Sequence, residues 1–83
     1  MYHIDIIEPT EELEKCLINT WPTSYWYLDN DEEETINLTV SSHSVDLCGL
    51  LTVTLTDTFT KVTATIPPFH YKSIKVYKGG YYI

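Results

Sequence analysis

Arginine is absent from this chain of 83 residues, and lysine is scarce, so twelve acidic residues face only five basic ones. Arginine is the side chain that binds phosphate with two parallel hydrogen bonds, and nucleic-acid-binding domains carry clustered basic residues. The formal net charge is −7 and the pI is near 4.6. The sequence therefore argues against direct binding to nucleic acid and favours a partner with a basic surface.

The chain also lacks the apolar segments that direct a protein to or across a membrane. Its N-terminus has no basic segment followed by an apolar run, and no run approaches the length of a membrane span. We therefore expect a cytoplasmic protein that does not contact a membrane. In that compartment Cys16 and Cys48 are expected to be reduced, buried thiols, with a single bridge between them left open as the alternative.

No group of residues shows a spacing typical of catalysis or metal binding. The histidines (His3, His43, His70) and the cysteines are scattered, whereas zinc ligands usually come in close pairs. His43, Asp46 and nearby serines have the residue types of a nucleophilic triad, but no nucleophile elbow or oxyanion loop accompanies them. Acids on a loop and a first helical turn are expected to be ionised, without the contrasting environments of an acid–base pair. The sequence thus predicts no enzyme activity, no cofactor and no metal.

One helical segment is predicted, near the N-terminus. Thr10 can cap a helix over residues 10–20, and Glu11 and Glu12 lie in its first turn, where the helix dipole favours negative charge. Residues at helical spacing form a narrow apolar stripe that is expected to face a sheet: Leu13, Cys16, Leu17 and Trp21.

Alternating apolar and polar residues predict strands over much of the remaining chain. The segments concerned are residues 2–7, 24–28, 35–41, 59–66 and 74–78, with a long alternating run over residues 45–56. Gly49 is expected to introduce a bulge or bend into that run, residues 41–44 to form a polar connection, and residues 79–80 to turn residues 81–83 back as a very short strand. The predicted fold class is α+β: one short N-terminal helix packed on a five- to six-stranded, mainly antiparallel sheet, in a single compact domain over residues 1–83.

The most unusual segment is residues 29–34, Asp-Asn-Asp-Glu-Glu-Glu, which we call the acidic loop. It holds five carboxylates in six residues, between the aromatic run over residues 25–28 and the next predicted strand. Residues 1–34 contain ten acidic residues and one lysine, whereas residues 35–83 contain two acidic residues and four lysines. The pattern predicts a hairpin with clustered negative charge at its tip.

Two interpretations of this charge are open. The simpler one is that the acids keep a sheet rich in tyrosine and threonine soluble. The other is charge mimicry, because duplex DNA presents one phosphate about every 1.7 Å along its axis and a dense carboxylate cluster can occupy a groove that binds it. Aromatic residues often anchor interfaces. Trp26 can serve either in an interface or in the core. Tyr25 and Tyr27 are expected to lie on the opposite face and are the better interface candidates. The candidate partner-binding residues are Asp29, Asp31, Glu32, Glu33, Glu34, Tyr25, Tyr27, Glu11 and Glu12.

In composition, the acidic loop and the acidic first third of the chain resemble those of small phage-encoded inhibitors of host defence, such as anti-CRISPR proteins and other DNA mimics. The resemblance implies a non-catalytic inhibitor in the host cytoplasm that binds a nuclease or a CRISPR-type complex. Two other classes remain as alternatives. One is an immunity or antitoxin-like protein that covers a basic enzyme, and the other is a virion or assembly domain that associates with copies of itself.

Overall fold

The described part of the chain forms one α-helix and two antiparallel sheets. The structure, a computed structural model, describes residues 1–78 and, by their backbone only, residues 81–82. In chain order the elements are β1 (Tyr2–Ile7), α1 (Glu11–Thr20), β2 (Trp26–Asp29), β3 (Thr35–Val40), β4 (Ser42–Val45), β5 (Leu51–Thr56), β6 (Lys61–Ile66), β7 (Ser73–Lys78) and β8 (Tyr81–Tyr82). Single turns of 3₁₀ helix precede β2 at Thr23–Tyr25 and β7 at Pro68–His70.

The strands divide between a larger sheet of order β2-β3-β1-β7-β8 and a smaller sheet of order β4-β5-β6. The α+β class and the single α-helix among the described residues agree with the prediction, but the single sheet of five to six strands is wrong. The predicted short return strand is present as β8, which pairs with β7. Residues 79, 80 and 83 of that prediction lie outside the described part of the chain.

The two sheets separate at Ser41, which lies between β3 and β4. Its N–H donates to the Thr54 carbonyl at 2.7 Å, and its Oγ accepts a hydrogen bond from the Thr56 N–H at 2.9 Å. These bonds direct the chain to β5, with which β4 pairs. The predicted polar connection over residues 41–44 is therefore wrong, because most of that segment is a strand.

Helix α1 begins where the sequence predicted. Thr10 is the N-cap, and its Oγ1 accepts a hydrogen bond from the Leu13 N–H at 3.3 Å. Leu13, Leu17 and Trp21 are buried as predicted. Cys16 is exposed, because the buried stripe is narrower than helical spacing alone suggested. Within the described residues, no helix has the length and apolar character needed to cross a membrane.

Both cysteines differ from the prediction in their burial. Cys16 and Cys48 are unbridged, as expected of reduced thiols, but both are exposed rather than buried. Cys48 lies in the turn that joins β4 to β5, so the alternation of the surrounding sequence does not determine which way it faces.

One core joins the inner faces of both sheets to the helix. Its fully buried aliphatic residues are Leu17 of α1 and residues of β1, β3, β5 and β6, and Trp21 closes it at the end of α1. The strand contributions are Ile4, Ile6, Ile36, Leu38, Val40, Leu51, Val53, Leu55 and Ile66. Since these residues occupy alternate positions of their strands, the intervening residues of the larger sheet point away from the core.

The long alternating run is divided at Gly49, but by a turn between two strands rather than by a bulge or bend within one. Asp46 Oδ1 accepts hydrogen bonds from the N–H groups of Cys48 and Leu50, each at 2.9 Å. Gly49 has a φ of +87°, a conformation that glycine adopts without the steric penalty of a Cβ. Leu47, an apolar position of the alternating run, lies in this turn and is fully exposed.

Replacing Gly49 with alanine is expected to lower the free energy of unfolding by about 1–2 kcal/mol, the usual cost of a left-handed conformation for a residue with a Cβ. The added Cβ would also lie 3.1 Å from Pro68 Cβ, closer than an ordinary contact. Urea denaturation measures the effect, and Leu47→Ala in the same turn is the control, with little expected change. An unchanged G49A stability would contradict the turn conformation.

Candidate functional site

The outward face of the larger sheet carries a row of polar side chains at one level. Tyr27 of β2 lies opposite Asn37 of β3, Asn37 lies opposite Asp5 of β1, and Asp5 lies opposite Lys75 of β7. The row therefore crosses four neighbouring strands. Asp5 and Lys75 occupy the outward positions of their alternating strands, but the strand order that aligns the four residues is a property of the fold.

A hydrogen-bonded network fixes the centre of this row. Asn37 is only 5% exposed, and its Nδ2 donates to Asp5 Oδ1 at 2.7 Å and to the Tyr77 hydroxyl at 2.6 Å. The Tyr77 hydroxyl in turn donates to Asp5 Oδ1 at 3.3 Å. Burial, and then the charge of Asp5, raises the pKa of Tyr77, so the phenol stays protonated and remains a donor. The network holds the Asp5 carboxylate in a defined position on the sheet.

The acidic loop and this sheet face enclose an open cleft of about 360 Å³, which we call the acidic cleft. Its lining includes five carboxylates and one lysine, together with two tyrosines. These residues are Asp5, Asp29, Asp31, Glu32, Glu33, Lys75, Tyr27 and Tyr77. Like charges gathered around one concave surface create a negative potential that attracts cationic groups.

The backbone of the acidic loop is held by short-range hydrogen bonds at each end. Asp29 Oδ1 accepts a hydrogen bond from the Asp31 N–H at 3.0 Å, and Thr35 Oγ1 donates to the Glu33 carbonyl at 3.3 Å. The loop carboxylates are exposed, as the hairpin interpretation predicted. Four of the five acids of the loop lie at the acidic cleft, and Glu34 is the exception.

The Glu34 carboxyl lies within hydrogen-bonding reach of the Glu14 carboxyl on helix α1. Its backbone carbonyl accepts a hydrogen bond from the Glu8 N–H at 2.8 Å, just before β3 begins. The hydrogen bond with the Glu34 carboxyl, then burial, then the charges of Glu34 and Glu11 raise the pKa of Glu14 to about 7. The expectation that water keeps all these acids ionised is therefore wrong for Glu14, because burial and a second carboxyl favour its protonated form.

The two candidate tyrosines differ in their surroundings. Tyr27 is 59% exposed and lines the acidic cleft. Tyr25 is half-buried, and it packs against the core together with Trp26. The prediction that both tyrosines lie on the face opposite Trp26 is thus wrong for Tyr25, because it belongs to the 3₁₀ turn rather than to the alternating strand.

Tyr25 also connects β2 to the turn between β5 and β6. Its hydroxyl donates to Asp57 Oδ2 at 3.3 Å. Hydrogen bonds from the N–H groups of Phe59 and Thr60 lower the pKa of Asp57. The same hydrogen bonds form the turn, which is why β6 starts at Lys61 and not at the predicted residue 59.

A second, smaller cleft of about 270 Å³ continues the same sheet face towards Tyr25. Tyr27, Asn37 and Tyr77 line both clefts, so the two form one surface. Here His3 stacks on Tyr77, with ring centroids 5.5 Å apart, and its Nδ1 lies 3.2 Å from Thr39 Oγ1. The aromatic rings therefore lie beside the carboxylates on one continuous face.

Glu11 and Glu12 are exposed on the first turn of α1 and do not line the acidic cleft. Glu11 Oε1 lies 3.9 Å from Lys15 Nζ, and its charge also acts on Glu14. Sequence reasoning missed Asp5, Asn37, Lys75 and Tyr77 as site residues. In the part of the chain that the structure describes, no three histidine, cysteine or acidic side chains group as a metal site.

The fold and this surface define a small α+β protein with an acidic, aromatic-lined sheet face. No protein-family model matches the sequence, and no curated protein or solved structure matches it. The function is therefore inferred from the geometry of the site.

Proposed function

We propose that this protein is a small inhibitor that binds a basic, nucleic-acid-binding surface of a host nuclease or CRISPR-type complex, in the manner of a phage-encoded anti-CRISPR protein. The observation that carries the proposal is the gathering of Asp29, Asp31, Glu32 and Glu33 with Asp5 around one cleft. The partner is a protein, and the inhibitor itself binds no nucleic acid.

The proposed mechanism is occupation of the partner's binding groove. The partner's lysine and arginine side chains normally contact phosphates. They would contact the acidic loop instead, because the charge density of the loop resembles that of DNA. Electrostatic attraction would accelerate the encounter and make it sensitive to salt. Tyr27 supplies an exposed aromatic contact beside the charges, a residue type enriched in interface hot spots.

Neutralising the exposed loop acids tests the proposal. We expect the triple substitution D31N/E32Q/E33Q to weaken binding by about 3- to 150-fold, since three exposed ion pairs contribute about 0.2–1 kcal/mol each. The partner is first captured from bacterial lysate with the tagged protein and identified, and binding is then measured at low salt and at about 0.5 M sodium chloride, where screening shortens to a few ångströms. Glu34 is left unchanged because it contacts Glu14.

The matched control is D31E/E32D/E33D, which keeps the charge at every position. It should retain most of the binding, and both triple variants should melt within a few degrees of the original protein because all three side chains are exposed. Binding that survives both the neutral substitutions and the high salt would refute the charge-based proposal. The identity of the captured protein separates a defence inhibitor from an immunity protein, and a stable oligomer in high salt would indicate the assembly alternative.

A further inference from the structure

The Glu14–Glu34 contact joins two parts of the molecule that no sequence pattern connects. Glu14 Oε1 is fully buried, and no hydrogen-bond donor reaches it among the residues described. Glu34 lies at the base of the acidic loop, and its hydrogen bond is the largest of the effects that raise the pKa of this carboxyl. A buried carboxyl oxygen without a donor is costly unless one of the two carboxyls supplies a proton.

We propose that Glu14 and Glu34 share one proton at mildly acidic and neutral pH, and that this bond fastens the base of the acidic loop to helix α1 and releases it as the pH rises. The pair exchanges its proton with water, and no other reactant is needed. One protonated and one ionised carboxyl form a short, charge-assisted O–H···O⁻ hydrogen bond, whereas two ionised carboxylates repel each other.

Backbone hydrogen bonds hold the chain on both sides of the pair. Glu14 lies in α1, whose Glu14 N–H donates to the Thr10 carbonyl at 3.2 Å. Glu34 is held through its carbonyl by the Glu8 N–H, where a φ of +51° turns the chain between β1 and α1. Loss of the proton therefore affects mainly the loop residues that precede Glu34.

The other charged groups described near the pair do not neutralise Glu14 in place of the proton. Glu11, on the same helix, is a further negative charge that disfavours ionisation of Glu14. The ion pairs that the structure describes join Lys15 to Glu11 at 3.9 Å and Lys72 to Glu8 at 4.0 Å, not to Glu14. His70, beside the start of the helix, has its Nδ1 2.8 Å from Thr10 Oγ1. Strand β6, which also packs on α1, contributes one charged residue, Lys61, placed opposite Thr56.

The sign of the pH dependence follows from the raised pKa. The pKa of Glu14 is about 7 in the folded protein and near 4.5 in the unfolded chain. The contribution of Glu14 protonation to the free energy of unfolding is therefore complete below pH 4.5 and is lost as the pH rises through about 7. The effect on partner recognition rests on the proposed function, but the proton-sharing contact is a property of the isolated protein.

Nuclear magnetic resonance of the purified protein tests this inference without any partner. The carboxyl carbon of Glu14 should titrate with a midpoint near 7, and backbone order parameters over residues 31–34 should fall from about 0.85 towards 0.6 between pH 6 and pH 8. Glu34→Gln should lower the Glu14 midpoint, because the amide can donate to an ionised carboxylate. Glu14→Gln should keep the loop ordered at both pH values for the same reason.

Glu12→Gln is the matched control, since Glu12 is exposed on the same helix and its replacement removes one charge without removing the contact. Glu12→Gln should leave the titration midpoint of Glu14 near 7. A Glu14 midpoint below about 5 in the unmodified protein, or one unmoved by Glu34→Gln, would overturn the inference even if the variants were poorly stable. Because no partner is present, failure of this test leaves the proposed inhibition open, and failure of partner binding leaves this test unaffected.

Discussion

Replacement of Leu17 with alanine is expected to remove about 3 kcal/mol from the free energy of unfolding, within the usual range for buried leucines. Leu17 is fully buried where α1 packs on the core. A domain of this size is typically stable by about 4–12 kcal/mol, so one such substitution is a large fraction of the total. Urea denaturation measures the change as a lower midpoint with an unchanged slope.

The adjacent residue provides the control for this prediction. Ile18 is 56% exposed, so Ile18→Ala removes little buried apolar surface and introduces a better helix former. We expect its effect to stay within about 0.5 kcal/mol. Equal losses at the two positions would contradict the orientation of α1 on the core.

Conversion of Asn37 to aspartate is expected to destabilise the protein by about 3 kcal/mol at neutral pH. The substitution replaces the Nδ2 donor, 2.7 Å from Asp5 Oδ1, with an oxygen. A hydrogen bond to a charged group, worth about 1.5–3 kcal/mol, is lost, and two carboxylates are placed side by side at a position that is 5% exposed. The loss should diminish in acid, where one carboxyl becomes protonated and can donate to the other.

Asn30→Asp makes the same chemical change at an exposed position of the acidic loop. Because water solvates the new charge, we expect a change of no more than about 0.5 kcal/mol, although the variant carries a sixth carboxylate in the loop. Thermal melting at pH 4 and pH 7 distinguishes the two variants. A large loss for N30D and none for N37D would show that the Asn37 network does not stabilise the sheet.

The alternation of apolar residues predicted much of the fold. Ile4, Ile6 and the apolar residues of β3 are buried as expected, because a residue's position along a strand fixes the face on which it lies. The pattern failed at residues 41–44, where serine and histidine gave no strand signal and Ser41 directs the chain into a second sheet. Strand pairing there depends on backbone hydrogen bonds, which any residue except proline can donate.

The candidate site was predictable in part. The acidic loop was recognisable because clustered carboxylates avoid burial and favour a turn. Glu34 could not be distinguished from its neighbours in the loop, since the helix that brings Glu14 to it lies fourteen or more residues earlier in the chain. Tyr25 was misplaced because strand alternation was applied to a residue that belongs to a 3₁₀ turn.

By itself, the sequence determined the local properties of this protein: the capped helix, the alternating strands, the exposed acidic loop and the shortage of basic residues. These depend on neighbouring side chains and on the repeat of each secondary structure. The tertiary structure decided which strands are adjacent, and so which residues share a site. Asp5, Asn37 and Tyr77 meet, and Glu14 reaches Glu34, only because hydrogen bonding between strands and core packing bring together distant segments.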